Sequence, residues 1–164
     1  GHPASLIEVI GSQRFAAMQT PYHLLNPSAG CETATVEGDA NYGNIIAACA
    51  SAGMGVFAIR VLAGGALADN RPSAHTLKTP FFPLALYERD REKARRLQQA
   101  IGPGRELTAE AVRFALAHPH IQSAIIGFAD VGQIDDAIEA LHSDAPPLDW
   151  QGVVAAQSHT LSPS

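Results

Sequence analysis

The sequence predicts an α/β protein built around parallel strands, and two observations carry the expectation. Helix-like and strand-like patterns alternate in the order helix, strand, helix, strand, charged helix, helix, strand, helix, the rhythm of strands joined by helical crossovers. The second and third strand-like stretches, GVFAIRVL from Gly55 and IQSAIIGF from Ile121, are apolar at nearly every position, as expected where both faces of a strand are covered.

Each element has its own warrant. The chain opens GHPASLIEVIGS, where Ser5 and Glu8 have capping-box spacing and Leu6, Ile7, Val9 and Ile10 are too apolar for a surface loop, so a helix is predicted over 4–12. FAAMQTPYHLLNPSAG predicts a first strand over 16–20, ended by Pro21 and by the turn-forming Asn26-Pro27-Ser28. In IIAACASAG, Ile45, Ile46 and Cys49 share one helical face and Gly53 supplies the stop. The second strand follows. Residues 63–87 then read as a long irregular loop, interrupted by Gly64-Gly65, Pro72, Pro80 and Pro83; such loops are usually functional or mobile.

ERDREKARRLQQAI, over 88–101, predicts a solvated charged helix with Ala94, Leu97 and Ile101 on one face. After Gly102-Pro103-Gly104, Thr108 is read as the cap of a helix bearing Val112, Ala115 and Leu116 that ends before Pro119. The third strand comes next. Asp130 and Gln133 again have capping-box spacing, and Ile134, Ala137, Ile138 and Leu141 recur with the period of one helix face. A short helix over 149–157 and a fraying end complete the chain.

Composition bounds the function. At 164 residues, 46 % hydrophobic and 16 % charged, the chain reads as one soluble globular domain or a piece of a larger one. A net charge of -5 argues against nucleic acid or an anionic membrane as the main partner. The two cysteines, Cys31 and Cys49, lack the CxxC spacing of a structural metal site and suggest no disulfide framework, which fits a reducing cytoplasm. The apolar runs stop well short of the roughly 18 residues a membrane span needs. Three strands are few for a parallel sheet and an eight-stranded barrel takes ~250 residues, so the sheet is either small and open or part of an incomplete barrel.

Ligands of parallel α/β folds meet the carboxyl ends of the strands. Two loops fit that description. After the second strand, Arg60 and the Leu62-Ala-Gly-Gly65 turn offer a cation and a backbone that can approach a ligand closely. Arg60 needs a partner, because a buried unpaired guanidinium is costly; an anionic ligand or a carboxylate from another strand would serve. After the third strand, Gly127-Phe-Ala-Asp130 leads into a capped helix whose N-terminus favours an anion. Gln19, an amide on an otherwise apolar strand, needs hydrogen-bond partners of its own. His118-Pro119-His120 is short of metal ligands, and no P-loop, HExxH, GxSxG or dinucleotide GxGxxG motif is present.

In their order and spacing, QTPYHLLN, NIIAACASAGMGVFAIRVLAGGALA and ELTAEAVRFALAHPHIQSAIIGFADVGQIDDAIEAL resemble the C-terminal half of an aldo-keto reductase, from near residue 1 to about residue 148. The resemblance implies a (β/α)8 barrel and hydride transfer between NADPH, less often NADH, and a carbonyl or alcohol. Residues 1–148 would then be the C-terminal half of the barrel, with its last three strands, and 149–164 a short helix and frayed tail. It further implies that Gln19 contacts the nicotinamide carboxamide and that Ile59, Arg60, Leu62, Gly64 and Gly65 lie against the nicotinamide and the pyrophosphate. Ile126, Gly127, Phe128, Gln133, Asp136 and Ala137 would hold the adenosine end.

Departures from the family pattern are informative. The family commonly has Tyr or Trp followed by Ser where this chain has Ile59-Arg60, which replaces aromatic stacking with a phosphate-binding cation. Gly127, Phe128 and Ala129 offer no cation for a 2′-phosphate, so the cofactor is NADP or NAD. The family's Asp, Tyr, Lys and His tetrad lies on earlier strands that this chain does not include, and Tyr22, Tyr42, Tyr87 and His23 do not stand in for it. The expectation is the cofactor side of a cytoplasmic oxidoreductase acting on a small carbonyl or alcohol, without turnover as an isolated chain. The alternative is a stand-alone half-barrel that binds or assembles, pairing with a second copy to cover its open edges.

Overall fold

The computed structural model describes residues 3–32, 38–72, 77–78, 84–146 and 148–150. Their contacts divide the chain into two compact units, Gly1–Val61 with Phe114–Gly127, and Leu62–Arg113 with Phe128–Ser164.

The first unit holds a three-stranded parallel sheet in the order β1-β2-β3, from β1 (Ala17–Pro21), β2 (Gly55–Ile59) and β3 (Ser123–Ile125). Helix α1 (Pro3–Gly11) packs on α2 (Ile45–Ser51), and α2 packs on β2. α2 is too short to persist alone. Burial of Ile45, Ile46 and Cys49 holds it, at about 1.5–3 kcal/mol for each large aliphatic side chain. Its end is a Schellman motif: Gly53, at φ 69, donates its N–H to Ala50 O at 3.1 Å, and Met54 donates to Cys49 O at 2.9 Å. The stop read from Gly53 is thus the observed one.

Four expectations for this unit need correction. α1 starts at Pro3, which suits a first helical position that needs no N–H, so Ser5 lies inside the first turn instead of capping it. Pro21 ends the first strand from within; an edge strand tolerates a residue that cannot donate to the ladder. The second strand stops at Ile59, because Arg60 takes a left-handed backbone with φ 59 that breaks the ladder, and its side chain is half-exposed instead of buried. The third strand is only three residues long and leaves Ile125 exposed, since an edge strand has a neighbour on one side only.

The second unit contains a 3-10 segment (Ala63–Ala68), α3 (Leu84–Ile101), the start of α4 (Leu107–Ala117) and α5 (Val131–His142). Within the stretch read as an irregular loop over 63–87, the first six residues form a 3-10 segment kinked at Gly64 and Gly65, and the last four already belong to α3. Residues 73–76 and 79–83 of that stretch lie outside the described ones, as does most of the helix expected over 149–157. α3 packs on the 3-10 segment and buries Tyr87, Asp90, Ala94 and Leu97, a stripe that extends the expected face upstream by two turns. Its charged face is solvated but not idle: Arg91 and Arg95 both pair with Asp69, Nη2 to Oδ1, at 2.8 and 3.0 Å.

Thr108 is inside α4 and is not its cap. The helix begins at Leu107, whose N–H donates to Gln98 Oε1 at 3.1 Å, so a side chain from α3 satisfies that N-terminal donor. One turn further on, Glu110 is buried and its Oε1 accepts from Arg105 Nη1 at 3.0 Å and Arg113 Nη1 at 3.2 Å. The same arginines donate through Nη2 to Pro146 O, at 2.8 Å, and to Ala145 O. A single carboxylate thus anchors the segment that follows α5.

Candidate functional site

The register of the sheet collects the strand ends. Pro21 pairs with Ile59 and Ile59 with Ile125, so the three carboxyl ends are level, and Tyr22 adds one more rung by donating its N–H to Ile59 O at 3.2 Å. Arg60 and Ile126 leave the sheet at that level, with Gly127 one residue on. Gln19 lies two residues before the edge, opposite Phe57, which in turn faces Ser123. Because side chains alternate along a strand, Gln19, Phe57 and Ser123 share a face with Pro21, Ile59 and Ile125.

That face is the open one. Thr20, Val56 and Ala58 point to the other side and are buried, whereas Gln19 and Ile125 are exposed and Phe57 and Ile59 half-buried. Gln19 is therefore an exposed amide, and the hydrogen-bond partners expected for it are available from water. Of the predicted residues in the first unit, Gln19, Ile59, Arg60, Ile126 and Gly127 thus lie at or near one edge of one sheet.

Arg60 has local company that sequence reasoning missed. Ser28, fully buried, donates Oγ–H to Asn26 Oδ1 at 2.7 Å and accepts the N–H of Tyr42 at 3.1 Å, while Asn26 Nδ2 donates to Ala40 O at 2.8 Å. These bonds fold residues 38–44 back onto the turn after β1. Burial pushes the Tyr42 phenol pKa up, the Arg60 guanidinium pulls it down, and Asp39 adds a smaller push upward. Tyr42 therefore feels both Asp39, three residues before it, and Arg60, eighteen residues after it in sequence. The signal in the sequence is faint: only Asn26 and Ser28 as turn formers hint at a tethered loop.

In the second unit, Leu62 accepts the Gly65 N–H at 2.8 Å and the Leu67 N–H at 3.3 Å through its carbonyl, closing the turn that contains Gly64 and Gly65. Gly64 has φ 69 and Gly65 φ 101, and a Cβ at Gly65 would lie 3.1 Å from the Tyr87 hydroxyl. The glycine at 65 is thus required by its backbone and by Tyr87, whatever approaches from outside. Leu62 is half-buried and Gly64 exposed.

The start of α5 shows half of the expected capping box, the cap at Asp130, while Gln133 reaches one residue further back than the box requires. Asp130 Oδ1 accepts the Gln133 N–H at 3.0 Å, and Gln133 Oε1 accepts the Ala129 N–H at 2.9 Å. Gln133 is therefore engaged with the backbone. Phe128 and Asp136 are exposed and Ala137 half-buried one turn further on. The apolar stripe of α5, Val131, Ile134, Ile138 and Leu141, is exposed along its length.

A parallel sheet with level carboxyl ends is the ligand-facing arrangement shared by barrel-type and doubly wound α/β proteins. The sequence pattern described as the Aldo/keto reductase family matches residues 2–156. The chain belongs to that family. No curated protein matches the chain in a sequence search. Among solved structures, the aldo-keto reductase AKR11C1 from Bacillus halodurans matches in its apo form with a TM-score of 0.62 at 15 % identity, over 94 % of this chain and 47 % of that one. Its holo form matches at the same score and identity, over 94 % of this chain and 46 % of that one. At this identity the likeness bears on the fold, which is that of the (β/α)8-barrel family, here with three parallel strands in an open sheet. The chain spans about half the length of the reductase structures it matches. Among the described residues no helix is long and apolar enough to cross a membrane.

Proposed function

We propose that this chain is the cofactor-side portion of an NAD(P)H-dependent aldo-keto reductase. The observation that carries the reading is Arg60, a cation held in a left-handed backbone conformation at the level carboxyl edge of a parallel sheet in a chain of this family. Backbone strain of that kind at a non-glycine residue concentrates at functional sites. On this reading Arg60 neutralises cofactor phosphate and the Gly64-Gly65 turn follows the pyrophosphate. Gln19 meets the nicotinamide amide, and Ile59 packs beside the ring. Ile126, Gly127, Phe128, Gln133, Asp136 and Ala137 form the adenosine side, with the helix N-terminus at Asp130 favouring negative charge.

The cofactor, when bound, supplies the hydride, and reduction of an aldehyde or ketone also requires an acid that donates a proton to the carbonyl oxygen. That acid belongs to the tetrad the family carries on earlier strands. The isolated chain therefore binds and orients without completing the reaction. The test is reduction of an aromatic aldehyde by the purified 164-residue chain with NADPH or NADH. No turnover is expected; measurable turnover that survives further purification would contradict the division of labour.

Exposed surface favours a second reading, a half-barrel that assembles. Among the described residues, both outer strands of the sheet have an open edge and the α5 stripe is exposed. Light scattering separates the two, since a compact dimer supports assembly and a monomer removes it.

A further inference from the structure

Four of the seven residues from Ala63 to Asp69 have a left-handed backbone. Gly64 and Gly65 lie at φ 69 and 101, and Ala63 and Asp69, which bracket the segment, at φ 50 and 49. Glycine takes that conformation freely and aspartate tolerates it, but for alanine it is a cost. Within the turn, Asp69 N–H donates to Ala66 O at 3.1 Å and Asn70 N–H to Gly65 O at 3.3 Å. A turn so rich in left-handed residues needs support from outside.

That support comes from one face of α3. Tyr87, Arg91 and Arg95 stand at successive helical turns, four residues apart, and all three reach the end of the glycine segment. Arg95 grips the Asp69 carboxylate as a two-toothed fork, Nε to Oδ2 at 3.1 Å and Nη2 to Oδ1 at 3.0 Å. Arg91 donates Nε–H to Oδ1 at 3.0 Å and reaches past the carboxylate to the Asp69 backbone carbonyl with Nη2 at 3.1 Å. The Tyr87 hydroxyl takes the next carbonyl, that of Asn70. Side chain and backbone of Asp69 are thus held together. The hydrogen bond from Arg95 leads the causes that keep the Asp69 carboxyl below its ordinary range, so the carboxylate is charged at neutral pH.

We infer that Asp69 is a positioning residue for nucleotide binding: pinned by Arg91 and Arg95, it holds the Gly64-Gly65 turn in the conformation that follows the pyrophosphate. The inference rests on the cofactor reading of this chain and adds a residue to it that touches no part of the cofactor. Asp69 and Arg95 have half-exposed side chains, so their pairing adds little to global stability. Its effect is local. A turn ordered in advance spares the nucleotide the cost of ordering it on binding.

The experiment compares wild type, Asp69→Asn and Arg96→Ala by NADPH and NADH fluorescence titration and by amide hydrogen exchange. Asn keeps the size of Asp and its tolerance of a left-handed backbone, so that variant removes a charge and little else. Arg96 pairs with Glu92 inside α3 at 3.2 Å, so its loss controls for removal of a charge from the same helix. Coulomb attraction alone predicts that phosphate binds more tightly once a nearby negative charge is gone. The positioning role predicts the reverse: Asp69→Asn binds roughly two- to tenfold more weakly. Exchange quickens at the Gly65 and Asn70 amides and not at Met54 or Gly55, whose N–H groups donate to Cys49 O and Ala16 O in the other unit. Arg96→Ala matches wild type in both measurements. Wild type that binds while Asp69→Asn binds equally or more tightly overturns the positioning role alone, as does unchanged exchange in the turn. Wild type that binds neither nucleotide overturns the cofactor reading and the positioning role with it.

Discussion

Tyr87 on α3 donates its hydroxyl proton to the carbonyl oxygen of Asn70 at 3.1 Å, across the foot of the turn that contains Gly64 and Gly65. Tyr87 is almost wholly buried, so its phenol needs a partner and the turn supplies one. The pair fixes a glycine turn to a helix, which is how a flexible sequence acquires one conformation.

Removal of that hydrogen bond isolates its contribution. Tyr87→Phe keeps the ring and is expected to lower unfolding free energy by about 1 kcal/mol in a denaturant melt. Gly65→Ala acts on the same turn from the other side. It places a Cβ at φ 101, 3.1 Å from the Tyr87 hydroxyl, and is expected to cost about 1–3 kcal/mol. In the double variant the two losses should fall short of additive, because the hydroxyl that the new Cβ meets is gone.

Arg60 should show opposed effects on stability and binding. Arg60→Gly relieves a left-handed backbone at a cost the native chain bears, so the melt is expected to shift upward by up to about 1 kcal/mol. Arg60→Ala keeps the strain and shows no such gain. Equal stability for the two variants would mean the backbone there is not strained.

Asp130→Ala removes the acceptor for the Gln133 N–H and is expected to destabilise α5 by about 1 kcal/mol. Gln133→Ala breaks the reciprocal bond to Ala129 and should behave alike, with a double variant near either single one. Amide exchange in the first turn of α5 reports both.

Glu110→Ala leaves Arg105 and Arg113 without their shared carboxylate, and a loss of about 2–4 kcal/mol is expected, between the values for exposed and fully buried pairs. Glu110→Gln retains an acceptor oxygen and should lose less. Faster amide exchange at 143–145 would show that the anchored segment has been released.

Much of the fold can be read from the sequence because its signals are local. Gly53 ends α2, Asp130 and Gln133 cap α5, and Ile45, Ile46 and Cys49 mark a buried face. The missed features depend on partners distant in sequence. Nothing near Leu107 announces that Gln98 will cap it, and no local pattern shows that Ser28 will hold Tyr42 beside Arg60. The length of the second strand is not legible for a different reason: apolar residues continue through Val61 and Leu62, but the left-handed Arg60 ends the ladder first. The exposed stripe of α5 was legible as an apolar face, whereas its exposure was not, since hydrophobic periodicity says that a face wants cover and not whether cover is present.

Cofactor affinity, measured by NADPH and NADH fluorescence titration with and without Arg60→Ala, tests the proposed phosphate role of Arg60 most directly. Loss of one charge-assisted contact, about 1.5–3 kcal/mol, predicts affinity reduced roughly tenfold or more for whichever nucleotide binds. Binding of either nucleotide with unchanged affinity after Arg60→Ala, or no binding of either to the wild-type protein, would contradict it.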